Sequence, residues 1–230
     1  MQCNLRTRIA LLAAVLAAAG QAQAAGGAHI VDDSEVGDPG SCHVDTWATH
    51  QEHHQKQTSL APACTPAALP WLELGANLGH DWRGSRHESH VGPALKLSLL
   101  SPDHGLGLGL KSEAGMDART GRWTTAGWIV PVTLPIRPWL RLNLNAGWTL
   151  DKDDESRRHA AFYGLQVEAD LAAQVSLMAE TFQRKGSRSG YQAGARWNPG
   201  NGPVDLDLLV GRRVDGSDAR QVTLGMSVRF

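Results

Sequence analysis

Several residue types and patterns are scarce in this sequence. Its 230 residues hold 3 Cys, 2 Tyr and 3 Phe. Beyond the N-terminal region no apolar run approaches the roughly 20 residues that a transmembrane helix needs. Neither sign of charge predominates, with 22 Lys and Arg against 23 Asp and Glu. That balance argues against a general nucleic-acid binder, which carries a one-sided basic surface. What is plentiful is glycine, at 25 residues, and tryptophan, at 8.

The single long apolar stretch runs from Ile9 to Ala19, after Arg6 and Arg8 and before Ala22-Gln23-Ala24. A charged region, an apolar region and a small-residue cleavage site make up a secretory signal, so residues 1–24 are read as a leader and left out of the fold. Cys3 precedes the apolar stretch and is lost with it. Cys42 and Cys64 then lie in an oxidising compartment, where one pair reads as a disulfide. A loop of that length implies about 3 kcal/mol of constraint on the unfolded chain.

Residues 25–70 are polar, His-rich and without a sustained period. They are read as a periplasmic or lumenal segment ahead of the main domain. From Trp71 the period becomes two, as in Arg141-Leu142-Asn143-Leu144-Asn145 and Val204-Asp205-Leu206-Asp207-Leu208. Such alternation marks strands with one apolar and one polar face, and it gives about ten of them between 71 and 230. They fall near 71–82, 90–99, 105–116, 123–134, 139–150, 160–171, 173–183, 190–198, 204–213 and 219–230. Short turns such as Pro199-Gly200-Asn201-Gly202-Pro203 alternate with charged loops such as Arg83–Glu88 and Asp151–His159. This is the layout of an antiparallel up-and-down transmembrane β-barrel.

Alternation alone does not say which face is outside, since a soluble barrel has the same period inverted. The glycines decide it. Gly75, Gly92, Gly109, Gly147, Gly164 and Gly194 all share the charged face. Glycine weakens a strand and earns its place only where something approaches closely. A narrow lumen has such crowding and a solvent face does not. The polar face is therefore read as the inside, carrying Glu73, Lys96, Lys111, Arg141, Glu168, Asp170, Glu180, Arg196, Asp205, Asp207 and Arg229. Charges of both signs in so narrow a space must pair. Arg196 and Arg229 are the expected partners of Asp205 and Asp207, one strand away on either side.

The last strand places Val222, Leu224, Met226, Val228 and Phe230 on one face and ends on that aromatic. It resembles the assembly signal of Gram-negative outer-membrane barrels, which makes Phe230 the assembly residue. The resemblance implies partners in the barrel-assembly machinery, outer-membrane lipid and lipopolysaccharide, with both termini periplasmic. Trp82, Trp148 and Trp197 lie in phase with the apolar face near strand ends, as in an aromatic girdle. Trp71, Trp128 and Trp139 do not, so the girdle reads as partial.

Two other chemistries were weighed on the residues. His43, His50, His53 and His54 form the densest group of metal-ligand types, and on a helix the last three would share a face; no zinc-type spacing frames them. Ser85, His87, Glu88, Ser89, His90 and His159 gather near the loop end, where a lipid-modifying enzyme would need a nucleophile system, yet no motif joins them. No catalytic residue and no cofactor is assigned. Lastly, Asp32-Asp33 through Pro39-Gly40 and His43-Val44-Asp45 resemble the acidic start and first strand of phenol-degradation-pathway transporters, with Cys42 as a departure. That resemblance implies an extra hairpin at 41–50 and about 55–63, twelve strands, and a path for small hydrophobic compounds. The expected protein is an outer-membrane barrel of structural, adhesive or ligand-binding type with a charge-paired lumen, a small-solute channel or a metal-binding surface protein being the alternatives.

Overall fold

The computed structural model describes residues 28–52, 55–152, 158–214 and 217–230. Residues 1–24, the expected leader with Cys3, and the imidazoles of His53 and His54 lie outside the described residues. Twelve antiparallel strands follow in chain order. They are β1 (Cys42–Gln51), β2 (Gln55–Cys64), β3 (Leu72–Arg83), β4 (Arg86–Leu100), β5 (Gly107–Asp117) and β6 (Trp123–Arg137). The second half is β7 (Leu140–Asp151), β8 (His159–Ala172), β9 (Val175–Arg184), β10 (Gly190–Trp197), β11 (Val204–Arg212) and β12 (Arg220–Arg229). Each pairs with its sequence neighbours, and β1 pairs with β12 to close the barrel.

The count is twelve rather than ten. The added pair is β1 and β2, so part of the segment read as preceding the barrel is barrel wall. Its period was hidden because the outward face of β1 carries Val44, Thr46, Ala48 and His50, a set with one aliphatic side chain larger than alanine. The barrel closes through the chain end itself. Cys42 N donates to Phe230 O at 2.8 Å and Phe230 N donates to Cys42 O at 2.9 Å. Cys42 and Cys64 are register partners on β1 and β2 and are disulfide-bonded, with Cα atoms 4.0 Å apart.

The stretch Arg83–Glu88, expected as a charged loop, is two strand ends joined by Gly84-Ser85. Gly84 has φ 65°, a left-handed conformation that a side chain resists. Polar residues on both faces misled the reading there, because strands that run past an apolar belt have no buried face to mark them.

The distribution of side chains is inverted relative to a water-soluble protein. Leu144, Leu165, Val167, Leu206, Leu208, Val210 and Leu224 are exposed, while Asn143, Gln166, Glu168, Arg196, Asp205 and Asp207 are buried. Aromatic residues stand at both ends of the apolar surface. Trp71, Trp139, Trp197 and Phe230 are exposed at the end that holds the short turns and the C-terminus. Toward the other end Trp128 pairs with Trp148 across β6 and β7, and Trp123, Tyr163 and Tyr191 are exposed. Trp71 and Trp139 escaped the phase argument because they sit in turns, just ahead of Leu72 and Leu140.

Candidate functional site

Inside the barrel the chain itself forms a plug. Residues 28–37 carry no strand, and among the described residues no backbone–backbone hydrogen bond joins them to the wall. Buried backbone polar groups need partners, and wall side chains supply them. Ile30 N and Val31 N each donate to a Glu180 carboxylate oxygen at 3.0 Å. Asn145 accepts from Asp32 N at 2.8 Å and donates to Asp32 O at 2.7 Å, as an adjacent strand would. Ser34 N donates to Thr133 Oγ1 at 3.0 Å, and Gly37 N donates to Glu73 Oε2 at 2.9 Å. Gln192 Nε2 donates to Ala28 O at 2.9 Å.

Space for the plug comes from glycine. A Cβ on Gly164 would lie 2.7 Å from Val31 Cγ2, and one on Gly107 would collide with the Ser34 hydroxyl. Gly92, Gly147 and Gly194 serve another purpose, since a Cβ there would meet the carbonyl of a neighbouring strand. The inward glycines therefore make room for backbone as well as for charged side chains.

The residues expected in a lumen network fall into two groups. In the first, wall pairs with wall. Arg141 holds Glu168 through Nε at 2.7 Å and Nη2 at 2.9 Å. Arg196 holds Asp207 through Nε at 2.8 Å and Nη2 at 2.9 Å. Arg229 is bonded to Asp205, which also accepts from Asn198 Nδ2 at 2.6 Å. These planar forks match carboxylate geometry. Among the described residues Asp170 pairs with no base, and it accepts from Ser176 Oγ at 2.6 Å.

In the second group the wall turns to the plug. Lys96 and Lys111 are direct register partners on β4 and β5, both facing the lumen. Asp32 bridges them, with Oδ1 at 2.8 Å from Lys96 Nζ and Oδ2 at 2.8 Å from Lys111 Nζ. Asp33 Oδ1 lies 2.7 Å from Lys96 Nζ. Glu35 Oε2 reaches Arg141 Nη1 at 3.5 Å. Glu73 and Glu180 belong to this group as backbone acceptors. Sequence reasoning missed Asp32, Asp33, Glu35 and the buried His29; the acidic run at 32–35 was the available signal.

Two open spaces flank the plug on the β1–β7 side. The larger, about 440 Å³, lies toward the loop end and is lined by His29, Trp47, Gln57, His90, Thr149 and Arg184 among others. The smaller, about 100 Å³, lies between the plug and β1–β5, with Ser227 and Arg229 of β12 at its side. Asn77 and Lys111 border both. At the loop rim Asp218 accepts from Arg213 Nε at 2.7 Å. That bond holds its carboxyl below the usual carboxylate range, and Arg212 and Arg188 nearby act in the same direction.

The helical face expected for the histidines of the metal reading does not form over the described residues. Residues 42–51 are a strand, not a helix, and strand parity puts His43 in the lumen and His50 on the outer face. His43 lies 3.9 Å from both Asp45 and Glu73. Among the described residues no three His, Cys, Asp or Glu side chains gather as a metal site. The rim group is also divided. His80 Nδ1 and Ser89 Oγ are 2.7 Å apart on the outer face, while His90 pairs inward with Asp81 at 3.6 Å. No carboxylate is hydrogen-bonded to His80 among the described residues.

A closed barrel of twelve up-and-down strands with a polar lumen is the fold of small porins. The KdgM porin superposes with a TM-score of 0.64 at 8% identity, over 82% of this chain and 99% of that one. The KdgM porin in complex with disordered oligogalacturonate gives 0.62 at 10%, over 82% and 99%. The NanC porin gives 0.59 at 8%, over 80% and 98%. The chain belongs to the family described as uncharacterised conserved protein UCP029691, which matches residues 13–230. Among curated proteins no sequence matches.

Proposed function

We propose that this protein is an outer-membrane channel for small polar solutes in a Gram-negative bacterium, closed by residues 28–37. The apolar outer face between two aromatic rows suits a barrel crossing the bilayer, since a closed barrel satisfies every strand in lipid. The end with the short turns and the C-terminus is then periplasmic, and lipid, lipopolysaccharide and the assembly machinery are the partners. The polar lumen suits a polar solute rather than a hydrophobic compound.

One observation carries the channel reading. The plug is bonded to the wall through side chains and carries no strand pairing, so it can leave without opening the barrel. The flanking spaces share Asn77 and Lys111 in their lining, which supports a way past it. A second reading is a structural or adhesive barrel with a permanently filled lumen, which the three wall-to-wall ion pairs favour.

Planar-bilayer recording separates the two. The refolded wild type should show low or rare current steps, and a chain lacking residues 28–37 should show large, steady ones. Silence from both proteins, with heat-modifiable gel mobility proving each folded, would contradict the channel and favour the structural barrel.

A further inference from the structure

The paired lysines on β4 and β5 pose a problem that the wall does not solve. Like charges directly opposite on one sheet face repel and destabilise the pair. Lys96 and Lys111 are such partners, and both side chains are largely buried. The nearest wall carboxylates stay beyond hydrogen-bond distance of them. Glu113 Oε2 stands 3.9 Å from Lys111 Nζ and accepts from Asn77, and Glu73 is turned to Gly37 N and His43. Among the described residues every carboxylate at hydrogen-bond distance from these two ammonium groups comes from the plug, from Asp32 and Asp33. Arg141 adds a third cation close to Glu35, although Glu168 already holds its fork.

The wall thus presents two adjacent cations whose close carboxylate partners come from the plug, and both are reached from the cavities beside it. We infer that Lys96 and Lys111 form an anion site for a solute bearing two or more carboxylates, and that Asp32 and Asp33 occupy it as an internal competitor. A carboxylate bridging two ammonium groups makes charge-assisted bonds of the stronger kind. A solute that offers the same bridge releases the plug by mass action, because it binds only the unplugged state. This rests on the channel reading and adds a solute class to it.

The probe is citrate, with sucrose as the uncharged control and sodium chloride matching ionic strength. Titration of the full-length protein in detergent micelles should show D32N/D33N binding citrate at least tenfold more tightly than the wild type. Adding K96Q and K111Q should abolish that binding. Citrate affinity equal in wild type and D32N/D33N, or unaffected by the lysine changes, would overturn the inference. Should D32N/D33N fail to fold, a chain with every charge in place gives the answer. A thiol introduced by Ser34→Cys, in the plug and buried against the wall, should react with maleimide severalfold faster in citrate than in chloride or sucrose. Equal rates in all three would overturn the inference as well. Citrate binding without bilayer current would sink the channel and spare the site, whereas current without citrate binding would sink the site alone.

Discussion

Between β7 and β12 the lumen arginines Arg141, Arg196 and Arg229 are held chiefly by wall carboxylates, whereas Lys96 and Lys111 on β4 and β5 are held chiefly by the plug. The first region behaves as a core turned polar. Arg141–Glu168 and Arg196–Asp207 are forked pairs between neighbouring strands, and their partners come with the barrel. The second region has Lys96 facing Lys111, with Asp32 supplied from a segment outside the sheet. One half holds the barrel together and the other is a filled site. The difference can be broken or sharpened by substitution.

The largest effect is expected from D205L/D207L, which takes Asp207 from the buried Arg196 and Asp205 from the half-buried Arg229. Breaking a buried pair from one side costs about 3–5 kcal/mol. Urea unfolding in lipid vesicles should register a loss of that size, well above the loss for D32N/D33N, whose lysines gain water when the plug leaves. Comparable losses would erase the distinction between the halves. A somewhat smaller effect is expected from L208K, on the exposed outer face. A lysine facing lipid near the midplane costs about 2–4 kcal/mol, so a silent L208K in the same vesicles would argue that this face does not meet lipid. The smallest belongs to G164V. Overfilling a packed site costs about 1–3 kcal/mol, and here the added atoms meet Val31 of the plug. The account expects little change in barrel unfolding and a raised current, because the plug yields before the sheet does. A stability loss with no change in current would place Gly164 in the sheet's own packing.

The same contrast explains what could be read from the sequence. Alternation in 141–145 and 204–208 located β7 and β11, and adjacency of same-face residues was enough to name Arg196 and Arg229 as the partners of Asp205 and Asp207, though not which holds which. Nothing comparable marks the plug. A segment whose backbone is bonded by wall side chains has no ladder to match and therefore no period. Its partners Lys96, Asn145 and Glu180 are also remote in the chain, from 63 to 150 residues away. β1 was illegible for a different reason, since Thr46 and His50 dilute its outward face. The glycines gave the right face but an incomplete cause, because Gly107 and Gly164 accommodate plug side chains that no strand pattern reveals.

The central claim is that a segment inside the lumen opens and closes a path. It is tested most directly by tying that segment down. Ser34 lies against Gly107, so S34C and G107C can be added to D32N/D33N and the new thiols oxidised. The account predicts that the bridged protein is silent in a planar bilayer and conducts once reductant is added. D32N/D33N without the new thiols should conduct before and after the same treatment. Equal currents from the bridged protein before and after reduction would contradict the plug as gate.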